Sequence, residues 1–146
     1  MQANIFDVLK KEHEKVKGLF KQIKRKKQSP EQLWPEIQKE LKVHMEGEEK
    51  LFYPYLQGKP ETHEITMEAM EEHNVAKKEM DEMMQLSVND EWFNPKMKVL
   101  QELIDHHIEE EETQLFKKAK KVIGREQAQQ MAEEFEQEKQ RMMAKR

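Results

Sequence analysis

Two ten-residue stretches restrict this chain more than anything else in it. His44-Met-Glu-Gly-Glu48-Glu49-Lys-Leu-Phe52-Tyr53 and His107-Ile-Glu-Glu-Glu111-Glu112-Thr-Gln-Leu115-Phe116 share one order: His, three residues, two glutamates, two residues, a large apolar residue, then an aromatic one. On an α-helix, His and Glu four apart lie on one face, about 6 Å apart along the axis. If those faces turn inward, imidazoles and carboxylates stand where apolar side chains usually pack. A buried carboxylate without a partner is costly. The fold must therefore bring such faces together and supply something that offsets their charge.

The rest of the chain reads as helix. Only 4 Gly and 5 Pro occur in 146 residues, and helix-favouring residues dominate. Ile5, Leu9, Val16, Phe20 and Ile23 form an apolar stripe from about Asn4 to Lys27, with His13 inside it. Lys24-Arg25-Lys26-Lys27 fits a helix C-terminus, where cations favour the macrodipole. Ser29-Pro30-Glu31-Gln32 reads as N-cap, first turn and capping box. Ile37, Leu41, His44, Glu48 and Leu51 or Phe52 then share a line. Gly47 interrupts that helix beside His44, as room for a close approach or a small ligand, or as an accident. Tyr53-Pro54 and Gly58-Lys59-Pro60 end it. At more than two turns from His44, Tyr53 is expected in the core.

A third helix is expected from about Glu61 to Leu86, with the line Thr66, Met70, His73, Lys77, Met80 and Met84. Asn94-Pro95 suggests an N-cap and first residue for a fourth, which runs to Gly124. Its stripe is Leu100, Leu103 or Ile104, His107, Glu111, Leu115 and Ala119. Residues 124–146 form a C-terminal helical extension with Ala128, Met131, Ala132 and Phe135 on its apolar face. Beyond Phe135 it is polar, and its end is expected to fray. The expectation is all-α: one domain over residues 1–146, an antiparallel up-down-up-down four-helix bundle with a short fifth helix.

Each long helix then carries one inward His near its middle: His13, His44, His73 and His107. If about one residue in three faces inward, four such placements arise by chance on the order of once in 80. Two of the four have a Glu at the next turn, Glu48 and Glu111. There is no cysteine, so thiolate metal sites and disulfides are excluded. Four imidazoles and two carboxylates suit iron, manganese or zinc, and they exceed the needs of one tetrahedral ion. Two ions sharing the carboxylates fit better. Glu112 is the alternative to Glu111 as a shared carboxylate. Glu109, Glu110 and otherwise Glu112 read as a solvated face, and His106 and His63 as peripheral.

These residues resemble the hemerythrin-like, or HHE cation-binding, domain. The match is carried by His13, by His44 with Glu48 in HMEGEEKLFYP, by His73 in EEHNVAKKEM, and by His107 with Glu111 in HHIEEEETQLF. The resemblance implies a non-haem di-iron centre with an oxo or hydroxo bridge. It implies that His13 and His44 bind one iron, that His73 and His107 bind the other, and that Glu48 and Glu111 bridge them. The oxygen carriers of the family have a second His four residues after the one on the third helix; here that position is Lys77. They also carry Asp five residues after the fourth-helix His, where this chain has Glu111 at four and Glu112 at five. Lys77 is either a snorkelling side chain or a buried amine near the cluster; the first is preferred.

The implied function is binding of, or reaction with, O2, peroxide or NO, with sensing or detoxification ranked above oxygen carriage because of Lys77. Peroxide- or NO-directed activity is the enzymatic form of that reading. Iron storage or transfer is an alternative, as is a metal-free helical interaction module built on the Met-rich third helix. Net charge is −4 with both signs interleaved, so nucleic acid is not an expected partner. The sequence has neither an apolar leader nor a long apolar run, so a membrane is not expected either, and the expected compartment is cytoplasmic.

Overall fold

The computed structural model describes residues 3–25 and 29–144. Helix α1 spans Ile5–Lys24, α2 Pro30–Leu51, the short α3 Tyr53–Gln57 and α4 His63–Met84. Helix α5 spans Phe93–Glu110 and passes through a π-helical turn, Glu111–Leu115, into α6, Phe116–Val122; α7 is Arg125–Ala144. Of the expected basic run, Lys24 ends α1 and Arg25 caps it, while Lys26 and Lys27 lie outside the described residues. No helix of the described residues is long and apolar enough to cross a membrane.

The long helices form the expected bundle. Helix α1 packs on α2, α2 on α4, α4 on α5 and α5 back on α1, with α7 laid against both α1 and α2. Direction follows from two apolar layers. The lower layer joins the start of α1 (Ile5, Leu9), the end of α2 with α3 (Phe52, Tyr53, Leu56), Ala69 early in α4, and Leu115, Phe116 and Ala119. The upper layer joins the end of α1 (Val16, Phe20), the first half of α2 (Leu33, Ile37, Leu41), the end of α4 (Met80, Met83) and the start of α5 (Phe93, Leu100). Successive helices therefore alternate in direction. Their polar residues His13, His44, Glu48, His73, His107 and Glu111 fall between the two layers and are all buried.

Several local expectations need correction. Ser29 is the N-cap of α2, but its side chain makes no capping bond; the Gln32 and Leu33 N–H groups donate to its carbonyl instead, each at 3.0 Å. Helix α5 begins before Asn94. The Asp90 carboxylate accepts from the Trp92 N–H at 2.8 Å, and the Asp90 carbonyl accepts from Phe93, so the turn-rich segment itself starts the helix. On α4 the buried line is Thr66, Ala69, His73, Ala76, Met80 and Met83. The other heptad register, through Met70, Lys77 and Met84, lies at the edge: Met70 is partly buried against the lower layer, Lys77 is half-buried and Met84 is 55% exposed. Two alanines on the inner line let the backbones approach.

Helix α7 continues past Phe135 to Ala144. Lys139 pairs with Glu12, and Glu138 with Lys50. Gly47 marks where α7 crosses α2: a Cβ there would stand 2.5 Å from Phe135 Cε2. It is thus the close-approach reading of Gly47 that holds. Gly47→Ala should gain about 1 kcal/mol of helix propensity yet lose net stability, because overpacking costs about 1–3 kcal/mol. Urea unfolding of Gly47→Ala, alone and with Phe135→Leu, checks this. The second change should recover part of the loss, and a stabilised Gly47→Ala would contradict the α2–α7 contact.

Candidate metal centre

The inward residues converge because each lies at the same level of its own helix, between the apolar layers. Glu48 Oε1 is 3.1 Å from His44 Nε2 and 3.2 Å from His73 Nε2. Glu111 reaches the other two histidines, with Oε1 at 3.1 Å from His13 Nε2 and Oε2 at 3.4 Å from His107 Nε2. The imidazoles are paired: His13 and His44 have ring centroids 4.9 Å apart, and His73 and His107 4.7 Å apart. His13, His44, Glu48 and Glu111 present ligand atoms within 4.8 Å of one another, and so do Glu48, His73 and His107. The six residues expected from the sequence are brought together, with Glu48 common to both groups.

The imidazoles are aimed by carboxylates. His13 Nδ1 lies 2.6 Å from Glu112, His44 Nδ1 2.8 Å from Glu12, His73 Nδ1 2.8 Å from Glu49 and His107 Nδ1 2.6 Å from Glu72. A carboxylate accepts, so each Nδ1 carries the proton and donates. When the ring is neutral, its Nε2 lone pair faces the centre. This is the usual outer support of metal-ligating histidines.

The arrangement closes on itself. Glu12 precedes His13 but serves His44 on α2. Glu49 follows Glu48 but serves His73 on α4. Glu72 precedes His73 but serves His107 on α5, and Glu112 follows Glu111 but serves His13 on α1. Adjacent residues of a helix point about 100° apart. The neighbour of an inward residue therefore faces the flanking helix, and the four glutamates form a ring around the bundle.

The electrostatics are those of a well for cations. Burial opposes protonation of His44 and His107, but the carboxylates around them prevail. Glu48 and Glu12 hold His44 well above its usual value, and Glu111, Glu72 and Glu48 raise His107 to about 10. Burial likewise opposes ionisation of Glu111, yet its contacts with Glu48, His107 and His13 keep it well below the carboxylate range. His13 Nε2, His44 Nε2, Glu48 Oε2 and Glu111 Oε1 are buried without a hydrogen-bond partner. Such atoms are expensive unless something else engages them. All four are metal-ligand types, so the donor set fits bound cations.

Chain comparison agrees with that chemistry. Residues 4–119 match the model of the hemerythrin HHE cation binding domain. The chain belongs to that family. Among solved structures, it resembles an HHE cation binding domain-containing protein from Mycobacterium kansasii, with TM-score 0.77 and 23% identity over 94% of this chain and 88% of that one. At that identity the likeness speaks for the fold. A relative from Nostoc, described as a DNA nickase, is 28% identical over 137 residues. The alignment takes in 90% of this chain but only 38% of that protein's length. The family match thus runs from the residue before α1 into the first turn of α6, and α7 lies beyond it.

Sequence reasoning missed two parts of this HHE domain. The first is Tyr53, expected in the core. Its hydroxyl donates to Glu111 Oε2 at 2.5 Å and lies 3.2 Å from Glu48 Oε1, 3.2 Å from His73 Nε2 and 3.3 Å from His107 Nε2. Burial and the Glu111 and Glu48 charges push its pKa well up. The cause is a break at Phe52 (φ −110°, ψ −55°), after which Pro54 restarts the chain as α3. The second is the glutamate ring. Glu112, expected on a solvated face, turns to His13 as Glu49 turns to His73, and it does so at the start of the π-helical turn. Glu111 and Glu112 thus hold the two nitrogens of the same ring.

The peripheral residues are where they were expected. The His106 side chain is 64% exposed, and His63 bonds the Gln57 carbonyl. Lys77 Nζ donates to Glu49 Oε1 at 2.8 Å, so it faces the outer ring and not the cluster. Replacing Glu12 or Glu49 by alanine should weaken cation binding about 10- to 100-fold. Zinc titration against a competing chelator measures it, and unchanged affinity would remove the ring from any supporting role.

Proposed function

We propose that this HHE domain is a non-haem di-iron protein that binds or reacts with O2, peroxide or NO. Sensing or detoxification is favoured over oxygen carriage. The observation that supports it is the inward turn of four Nε2 atoms onto two buried carboxylates, each of which reaches one imidazole of either pair. His13 and His44 would hold one ion and His73 and His107 the other, with Glu48 and Glu111 shared between them. Two irons would supply one-electron redox chemistry at adjacent centres. The chain's own residues hold the rings, exclude water and keep the donors at one level of the bundle.

Tyr53 sharpens the proposal. Its oxygen stands beside His73, His107, Glu48 and Glu111, so it offers a seventh donor to that half of the centre. Position 77 supplies no imidazole, and the phenol takes the inward place instead. A hydroxyl there can also donate a proton to a bound anion. Either role differs from a dry, saturated oxygen-storage site. A metal-free interaction module on the Met-rich helix would have only Met67 and Met84 exposed, since Met80 and Met83 pack in the upper layer, and it would leave the buried His and Glu cluster without a purpose.

Elemental analysis with absorption spectra of the reduced protein before and after oxygen tests the reading. The expected result is about two irons per chain and near-ultraviolet oxo-to-iron bands that appear with oxygen. Protein purified without chelator that holds no metal would overturn it. Iron lost rapidly to weak chelators, with no spectral response to oxygen, would assign storage or transfer. Separately, Tyr53→Phe should keep both irons and abolish any visible phenolate-to-iron absorption. A visible band of equal strength in that variant would show that Tyr53 is not a ligand.

A further inference from the structure

Outside the glutamate ring lies a further set of contacts. Two of the four orienting carboxylates carry a lysine on the oxygen that the imidazole does not use. Lys139 Nζ, on α7, sits 2.7 Å from Glu12 Oε2, while Glu12 Oε1 lies 2.8 Å from His44 Nδ1. Lys77 Nζ, on α4, sits 2.8 Å from Glu49 Oε1, while Glu49 Oε2 lies 2.8 Å from His73 Nδ1. His44 belongs to one imidazole pair and His73 to the other.

We propose that Lys139 and Lys77 are positioning residues, one for each half of the centre, acting on His44 and His73 through Glu12 and Glu49. The assignment of one lysine to each half stands on geometry. Its consequence for metal retention rests on the two-cation reading above. A carboxylate bound through one oxygen can still swing about its side-chain bonds. Bound through both, it keeps one orientation, and so does the ring it holds. The lysine side chains are 20% and 38% exposed, so solvent screens part of their charge; Lys77 holds Glu49 by a hydrogen bond and Lys139 holds Glu12 as an ion pair.

The charge balance points the same way. The two inward and four orienting carboxylates, set against two ammonium groups, leave four formal negative charges. That is the charge two divalent cations supply. Removing a lysine leaves its half over-negative and its carboxylate free to turn. The two halves also differ in origin. Lys77 and Glu49 lie inside the family-matched residues 4–119, whereas Lys139 comes from α7, beyond them. One half is thus complete within the family-matched residues, and the other draws on the C-terminal helix α7.

The test uses the full chain with zinc, as Lys139→Met, Lys77→Met and the two arginine versions. Ring N–H signals of His44 and His73 are followed by NMR, and zinc release to a chromogenic chelator by stopped flow. Lys139→Met should move the His44 signal, leave that of His73 in place, and speed release of half the zinc. The expected acceleration is about 5- to 10-fold, short of the 10- to 100-fold typical when a direct imidazole partner is lost. Lys77→Met should act on His73 and the other half, and arginine should restore each. Variants that move both signals alike, or neither, overturn the proposal. If wild-type protein takes up no zinc, the two-cation reading falls, and the imidazole signals of the metal-free chain still decide the pairing.

Discussion

A layer of ionisable side chains lies across the middle of this bundle, and everything else is arranged to make that tolerable. His13, His44, Glu48, His73, His107 and Glu111 are buried, with apolar packing above and below. Charge in such a place is far more costly than any apolar substitute unless it is paired. The protein meets that cost on three levels. The inward imidazoles and carboxylates pair with each other. An outer ring of glutamates binds each imidazole from behind. Lysines then bind two of those glutamates. What stays unpaired is a small set of inward nitrogen and oxygen atoms, and these are the atoms a cation takes.

Much of this was legible in the sequence because helical spacing is a strong constraint. An inward His on each of four stripes, with Glu one turn beyond two of them, follows from residue positions alone. The glutamate ring was also written there, as Glu12-His13, Glu48-Glu49, Glu72-His73 and Glu111-Glu112. Each pair couples an inward residue with a neighbour turned toward the next helix. Reading it requires knowing which helix flanks which, and spacing does not supply that. Glu112 was read as solvated because ideal helix geometry sends it away from the stripe of His107. Away from that stripe lies the α1 helix, and its His13 is what Glu112 meets.

Tyr53 was misplaced for a related reason. Counted along an unbroken helix, it lies over two turns from His44 and out of reach. Pro54 signalled an ending, but it did not say that the chain would restart at once with Tyr53 turned toward the centre. The same kind of local decision governs α4. Two heptad registers were open to its sequence, one through Met70 and Lys77, the other through Ala69 and Ala76. Periodicity cannot choose between them. Packing did, because small residues at the interface let α4 close on its neighbours. That choice removes Lys77 from the cluster and sets it against Glu49.

The position of Lys77 also changes what its departure from the oxygen carriers means. A lysine where a coordinating histidine is expected suggests a vacant place on one metal. In this fold the side chain at 77 does not look at that place, and Tyr53 does. The substitution is therefore not a simple loss. Position 77 offers no imidazole to the cluster, while the Tyr53 phenol, on a short helix that follows Glu48, stands beside His73 and His107. An imidazole there would be a neutral ligand. A phenol can either bind as an anion or keep its proton and donate it. On the di-iron reading, the half that carries Tyr53 would suit anionic, proton-demanding ligands, while the half that carries His13 and His44 is packed by Phe135 and tied to α7 through Glu12. Asymmetry of that kind suits a centre that reacts with a small molecule at one ion and uses the other to hold charge.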